Sequence, residues 1–308
     1  MSSIAYVTDR QMIEYHRLNA NREINFWKPS LKKITNFKYG DFLFFLAKGT
    51  EKGIKKEKGI LGYGKLKVNH ILSFDQMWLR YGTKNGYATK EALEEAILKI
   101  TKNHKLPTSL SCFELQEVTF FQAPVYLSEI GVEISNKIES YFYLDKDDMM
   151  NTSKILNVAN EIGMDIWSNI LYENDETFID DAKFNFIMNI NEKLKLDISK
   201  YEDIKVFKYC QHFITSANQK MVGRNAWIDH KDEKLSVYLP CLISINDSIS
   251  KLQRYIGHYV LFNSYIQMSE YANSIDLILV FQQKLNQEMK KLLDHSGVQY
   301  KEKLVNDD

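Results

Sequence analysis

The sequence predicts an α+β protein in two parts. Residues 1–145 read as a small, partly open β-barrel with short helices, and 146–308 as a helical connector followed by an α/β domain. Three observations carry this. Before residue 145, short apolar runs bounded by Gly turns alternate with brief helical stretches. After residue 200 the order is strand, hairpin, helix, strand, helix. Between them, aromatic Tyr141-Phe142-Tyr143 passes into acidic Asp145-Lys146-Asp147-Asp148.

Ile4–Thr8 alternates weakly as an opening strand, and Asp9 can cap a helix through about Leu18 with Met12, Ile13 and Tyr15 on its apolar side. The apolar run Phe42–Leu46 reads as a buried strand. Lys48–Lys58 is a charged loop, and Gly59–Gly64 starts another strand whose glycines permit a close approach or a bulge. Phe74–Tyr81 has helical spacing and ends at Gly82–Gly86. Thr89 opens a helix over Lys90–Ile100, and Ser111–Phe121 is a strand closed by Pro124. Helices are expected over Thr152–Tyr172 and Ala182–Leu196, separated by Asp-rich Glu173–Asp181. Strands are expected over Lys205–Thr215, Ala226–His230 and Leu235–Ile243, with a charged turn at Lys231–Lys234. A helix over Ser248–Met268, a buried strand Ile275–Phe281 and a helix Gln283–His295 complete the chain.

The net charge of zero conceals an asymmetry. Residues 1–140 hold 21 Lys and Arg against 15 Asp and Glu, and the excess sharpens to 17 against 7 over 28–105. Phosphate neutralisation dominates nucleic-acid affinity, so the first part is the expected nucleic-acid face; a solvated lysine-rich surface is the competing use. No run of about 18 apolar residues is long enough to span a membrane, and the N-terminus lacks a secretory layout. Cys112, Cys210 and Cys241 are odd in number and widely spaced, which fits neither a disulfide framework nor a zinc site. A soluble, reducing, cytoplasmic setting is the expectation.

The most informative stretch is Glu23–Ser30, Glu-Ile-Asn-Phe-Trp-Lys-Pro-Ser. Pro29 fixes its own φ and extends Lys28, so a rigid bend rather than a strand is expected, just ahead of basic Lys32 and Lys33. Flat rings beside amides and positive charge suit a nucleobase drawn out of a duplex. Ordinary core packing of Phe26 and Trp27 is the alternative.

The first part resembles the PUA/EVE-like domain found ahead of HNH modules in prokaryotic restriction endonucleases. The resemblance rests on Val7-Thr8-Asp9, Glu23–Ser30, Tyr39–Phe44, Trp78–Gly86 and Val118–Phe121, in order over about 140 residues. It implies a reader of double-stranded DNA whose modified base is everted into a pocket. Trp27 and Trp78 are the stacking candidates, Asn25 and Ser30 the hydrogen-bonding ones, and Phe26 and Tyr81 further lining candidates. Lys28, Lys32, Lys33, Arg80 and Lys84 are candidates for the DNA backbone. The HNH module of that family is missing: His212, His230, His258 and His295 are scattered.

Residues 182–303 resemble a PD-(D/E)xK nuclease fold instead, through Val222-Gly223-Arg224, Trp227–Leu242, Leu252–Gly257 and Ile275–Tyr300. In active members an Asp follows the Gly-Arg pair and a Glu-x-Lys triplet comes about 13 residues later, together holding one or two divalent metals. Here those positions are Ala226 and Leu239-Pro240-Cys241, so the resemblance implies a domain without catalytic residues. Asp229, Asp232 and Glu233 lie nearby, at the expected hairpin tip, where charges face water. Arg254 and Tyr255 are possible phosphate contacts. The expected setting is prokaryotic restriction or antiphage defence, with no cofactor, a possible homodimer, and a separate nuclease or helicase as a possible partner. Three alternatives stand beside it. One is an active endonuclease with a displaced Mg2+ or Mn2+ site, another an RNA-binding module, and the third a phage-encoded inhibitor.

Overall fold

The computed structural model describes residues 3–53, 56–101, 103–135, 137–169, 177–231, 234–243 and 249–303. Contacts divide the chain into two units, Met1–Asn185 and Phe186–Asp308. The first contains β1 (Ile4–Thr8), α1 (Arg10–Leu18), β2 (Ile24–Lys28), β3 (Phe42–Ala47), β4 (Ile60–Leu72), α2 (Phe74–Tyr81), α3 (Lys90–Ile100), β5 (Leu110–Val125) and β6 (Tyr141–Tyr143). Then come α4 (Asn151–Ile162), α5 (Ile166–Asn169) and the start of α6 (Thr177–Lys193), inside which the division falls.

The six strands form one sheet in the order β2-β5-β4-β3-β1-β6, antiparallel throughout except for β1 beside β3. The sheet curls. Tyr6 of β1 and Phe26 of β2 stand near opposite ends of the strand order, yet their ring centroids are 5.0 Å apart. Bulges along the β4–β5 pairing supply curvature. At Gly62 a Cβ would meet the Thr119 carbonyl oxygen at 2.3 Å, so only glycine allows that approach. Ile4, Phe26, Phe45, Phe113 and Leu115 fill the inner face.

The outer face is covered too, which explains why all of β3 is buried. Phe42, Phe44 and Tyr63 pack together there, and Phe178 of α6 stands 6.3 Å from Tyr63. Beneath the helix is a polar cluster whose Lys65, Asp181 and Tyr63 are buried and whose Glu117 reaches solvent. The Lys65 ammonium donates to Asp181 and Glu117, each at 2.6 Å, and the Tyr63 hydroxyl donates to Asp181 at 2.6 Å. Burial, the largest influence, works to lower the Lys65 pKa; the two carboxylates outweigh it and raise the ammonium above its ordinary value.

These contacts place the unit boundary at Asn185, later than residue 145. β6 pairs with β1, and Arg17 holds Asp165 at 2.7 Å, so the connector helices belong to the first unit. Three local expectations also change. Glu23–Ser30 is chiefly strand, because β2 finds a partner in β5 and Pro29 falls just beyond its last residue. Pro124 lies within β5 rather than ending it. The helix expected over Thr152–Tyr172 breaks at Gly163, whose φ of +94° ends α4, and residues 170–172 of it lie outside the described residues.

The second unit runs α7 (Lys200–His212), β7 (Gln219–Val222), β8 (Ala226–Lys231), β9 (Lys234–Cys241), α8 (Ile249–Gln267), β10 (Ile275–Phe281), α9 (Gln287–His295) and β11 (Tyr300–Glu302). Its five-stranded sheet has the order β11-β10-β9-β8-β7. β7, β8 and β9 form an antiparallel meander, and β10 lies parallel to β9 and β11. The strand expected over Lys205–Thr215 is instead mostly helix. Ser199 caps it by accepting from the Glu202 N–H, and Val206, Tyr209 and Cys210 bury one face at helical spacing. β7 and β11 are short strands of four and three residues, outside the strands the sequence predicts. All three cysteines are buried and unpaired. Among the described residues no helix is long and apolar enough to cross a membrane.

Candidate functional site

A cleft of about 480 Å³ opens beside β2 and is walled by the rings of Tyr6, Phe26, Trp27 and Tyr87. Met12 and Ile100 add apolar surface, Lys28, Lys48 and Lys99 positive charge, and Asp9 and Glu139 negative charge. Strand position accounts for this wall. β2 ends the strand order and pairs only with β5 among the described residues, and its other side is covered, since all five of its residues are buried and the turn at Gly82–Asn85 packs on it. Burial, with a smaller contribution from Tyr141, pushes the Tyr6 hydroxyl up to about 12; burial and then Asp9 do the same for Tyr87. Both stay protonated at neutral pH, able to donate or accept a hydrogen bond.

The Trp27 indole is held from behind. Its Nε1–H donates to the Asn85 carbonyl oxygen at 3.0 Å. Asn85 is fully buried in the 3-10 turn after α2, where its Oδ1 accepts from Asn25 Nδ2 at 2.8 Å and its Nδ2 donates to the Gly82 carbonyl at 2.7 Å. The next residue, Gly86, has φ +87°, and a Cβ there would meet Met12 at 2.5 Å. The turn therefore fits closely against α1, then delivers Tyr87 to 6.5 Å from the Trp27 ring.

The expected site residues separate into groups. Phe26 and Trp27 line the cleft. Asn25 does not; its amide faces Asn85, and its Oδ1 is buried without a hydrogen-bond partner. Ser30 is exposed past the end of β2, its carbonyl accepting from Lys28 and Ser111. Trp78 is half-buried against the barrel core and is no part of the cleft wall, because the helical face that buries Met77 turns it sideways. Tyr81 is buried and donates to Glu114 at 3.2 Å.

The basic residues divide likewise. Lys28 is buried, its ammonium donating to the carbonyls of Ser30 at 2.7 Å and Lys32 at 2.6 Å; burial first, then Lys32, lower its pKa. It braces a loop. Arg80 lies 3.6 Å from Glu114, and Lys84 is paired with Glu23 at 3.0 Å. Lys32 and Lys33 are exposed, with no ion pair among the described residues. The same holds for Lys48 and Lys99 at the cleft, which sequence reasoning missed. Tyr6 and Tyr87 were missed as well. Weak alternation in β1 marked Tyr6 as facing one side, but nothing local aimed it at Phe26.

In the second unit, the positions where the resemblance calls for metal-binding acids are apolar and closed. Ala226, Leu239 and Cys241 are buried, and the void beside Leu239, Pro240 and His258 is only about 10 Å³. Burial lowers the His258 pKa to about 4, keeping the ring neutral. A divalent cation needs several converging oxygens, and these residues do not fit one. Asp229 differs from its expected place: it is buried within β8, 3.3 Å from Lys231, rather than facing water. Asp232 and Glu233 lie outside the described residues. Among the described residues no group of three His, Cys, Asp or Glu is placed to hold a metal. Arg224 donates to Asp203 at 2.9 Å, and Arg254 to the Asp197 carbonyl at 3.5 Å.

No family model matches this chain, and no curated protein matches it. Among solved structures it is similar to the ASCH protein of Zymomonas mobilis. A single-substitution mutant of that protein aligns at TM-score 0.38 with 13% identity, over 51% of this chain and 99% of that one. A second mutant gives 0.37 and 11%, over 51% and 95%, and the unsubstituted protein 0.35 and 13%, over 50% and 94%. Likeness at this level identifies neither a family nor an activity.

Proposed function

We propose that the first unit binds nucleic acid by taking an everted base into the cleft beside β2, and that its target is duplex DNA carrying a modified base. The observation that supports this most is the wall of four aromatic rings beside β2. Rings stack on any base face, the Tyr6 and Tyr87 hydroxyls can hydrogen-bond a pairing edge, and apolar Met12 and Ile100 suit an added alkyl group. Unpaired Lys48 and Lys99 supply phosphate attraction. The resemblance to PUA/EVE-like readers points the same way and suggests a setting in prokaryotic restriction or antiphage defence.

The second unit, on this proposal, is a nuclease-like frame that docks partners without cutting. Its meander, crossover helix and parallel fourth strand suit the PD-(D/E)xK resemblance, while Ala226 and Leu239–Cys241 supply no metal-binding oxygen side chains. The proposal calls for no cofactor.

The test is a binding panel at fixed salt, using duplexes that are unmodified or carry methylated or hydroxymethylated cytosine or methylated adenine, with structured RNA alongside. One modified duplex is expected to bind at least about tenfold more tightly than its unmodified twin, and Trp27→Ala and Tyr87→Ala to erase that preference by removing about 1–3 kcal/mol of stacking each. Equal affinity for every duplex, or stronger binding to RNA, overturns the modified-DNA assignment.

A further inference from the structure

The loop that leaves β2 lines a second cleft, of about 380 Å³, walled by Leu31, Lys32, Lys33, Asn69, His70 and Ser111. Its lining has two lysines and a histidine but no carboxylate. Neither lysine makes an ion pair among the described residues, and the His70 Nε2 atom is buried without a hydrogen-bond partner. Lysine heads that already had acids to meet would be structural. These do not, and an orphaned ring nitrogen inside a cationic cleft adds an unmet polar demand.

The loop backbone is braced. Lys28 donates to the Ser30 and Lys32 carbonyls, Ser111 Oγ donates to the Ser30 carbonyl at 2.9 Å, and the Lys32 N–H donates to Ser30 Oγ at 3.3 Å. Lys32 and Lys33 are therefore presented from a backbone that needs little further ordering on binding. Pro29 lines the aromatic cleft and Leu31 the cationic one, two residues apart, or at most about 7 Å of chain. A third cleft, of about 520 Å³, also uses Lys32 and Lys33 but adds the Asp145 carboxylate, which disfavours an anion.

We infer that the Lys32–Lys33–His70 cleft binds a backbone phosphodiester beside the nucleotide whose base enters the aromatic cleft, an assignment that rests on the nucleic-acid function proposed above. The lysines neutralise phosphate charge, His70 stands within the same wall to hydrogen-bond an oxygen, and Ser111, whose hydroxyl already donates to the Ser30 carbonyl, holds the loop in place. The contact is sequence-independent. It sets the register of the strand and leaves discrimination to the rings.

The test is anisotropy of an end-labelled duplex, unmodified and modified, from about 50 to 300 mM salt. The Lys32→Ala/Lys33→Ala variant is expected to flatten the slope of log affinity against log salt by about one, and to weaken both duplexes by the same ten- to hundredfold at 100 mM. His70→Ala is expected to weaken both about fivefold. Lys146→Ala, in the third cleft, should leave the slope alone. An unchanged slope in the double lysine variant overturns the inference, as does a loss in Lys146→Ala with none in His70→Ala. Absence of all nucleic-acid binding overturns it too. A flattened slope without preference for any modified base leaves the phosphate cleft standing and removes the base reading. A retained preference with an unchanged slope does the reverse.

Discussion

Asn85 shows how one residue, through its main-chain carbonyl and its side-chain amide together, fixes a recognition surface it does not line. Its carbonyl oxygen, Oδ1 and Nδ2 bind Trp27, Asn25 and Gly82, so the indole plane is set by a turn some sixty residues away in sequence. Asn85→Ala strands the buried Asn25 amide and is expected to cost about 1–3 kcal/mol in urea unfolding. The variant keeps the main-chain carbonyl that accepts from Trp27 but loses the side-chain bonds that hold the turn, so the Trp27 indole N–H resonance, identified by its disappearance in Trp27→Phe, is expected to shift. An unmoved resonance would mean that Asn85 does not position the ring. The sequence pointed to Trp27 and Phe26 because aromatic residues beside Pro29 are conspicuous. It could not place Trp78, whose helix turns it away from the cleft, nor could it show that Lys28 spends its charge on two carbonyls.

At the scale of elements, burial on two faces decides most of the first unit. β3 was legible as a buried strand because all its residues are apolar, whereas the reason lies in α6 covering its outer side. Lys65, Asp181 and Tyr63 fasten that helix to β4. Removing one partner of a buried pair leaves an uncompensated charge, so Lys65→Met is expected to cost about 3–5 kcal/mol. Adding Asp181→Asn keeps an acceptor for the Tyr63 hydroxyl, and should recover most of the loss by chemical denaturation. Failure to recover would show that the ammonium contributes more than neutralisation. β2 and α7 were misread for opposite reasons. In β2 the stiffness of Pro29 was extended backwards over residues that tertiary pairing makes into a strand. In α7, Val206, Phe207 and Tyr209 favour a strand locally, but the Ser199 cap and the burial of Val206, Tyr209 and Cys210 on one helical face win in the structure.

For the whole molecule, the basic excess is confined to residues 1–140, the acidic stretch that follows cancels it within the first unit, and the positions without metal-binding acids lie in the second. Incubating the full chain with modified duplex and millimolar Mg2+ or Mn2+ is expected to yield no cleavage, and to leave the thermal midpoint unshifted by the metal. Metal-dependent cutting that disappears in Asp229→Ala would establish a displaced active site. The unit boundary itself depends on long-range contacts. Composition changes at residue 145, yet Arg17 to Asp165 and Lys65 to Asp181 tie the following helices to the barrel.

By itself the sequence determined the apolar strands, the capped helices, the basic excess of residues 1–140 and the want of acids at Ala226 and Leu239–Cys241, because periodicity, capping and side-chain chemistry are local properties. Only the tertiary structure decided which rings share a cleft, which lysines remain unpaired and where one unit ends. Those outcomes depend on sheet curl and on pairings between residues sixty to a hundred and fifty positions apart, and neighbouring residues carry no imprint of them.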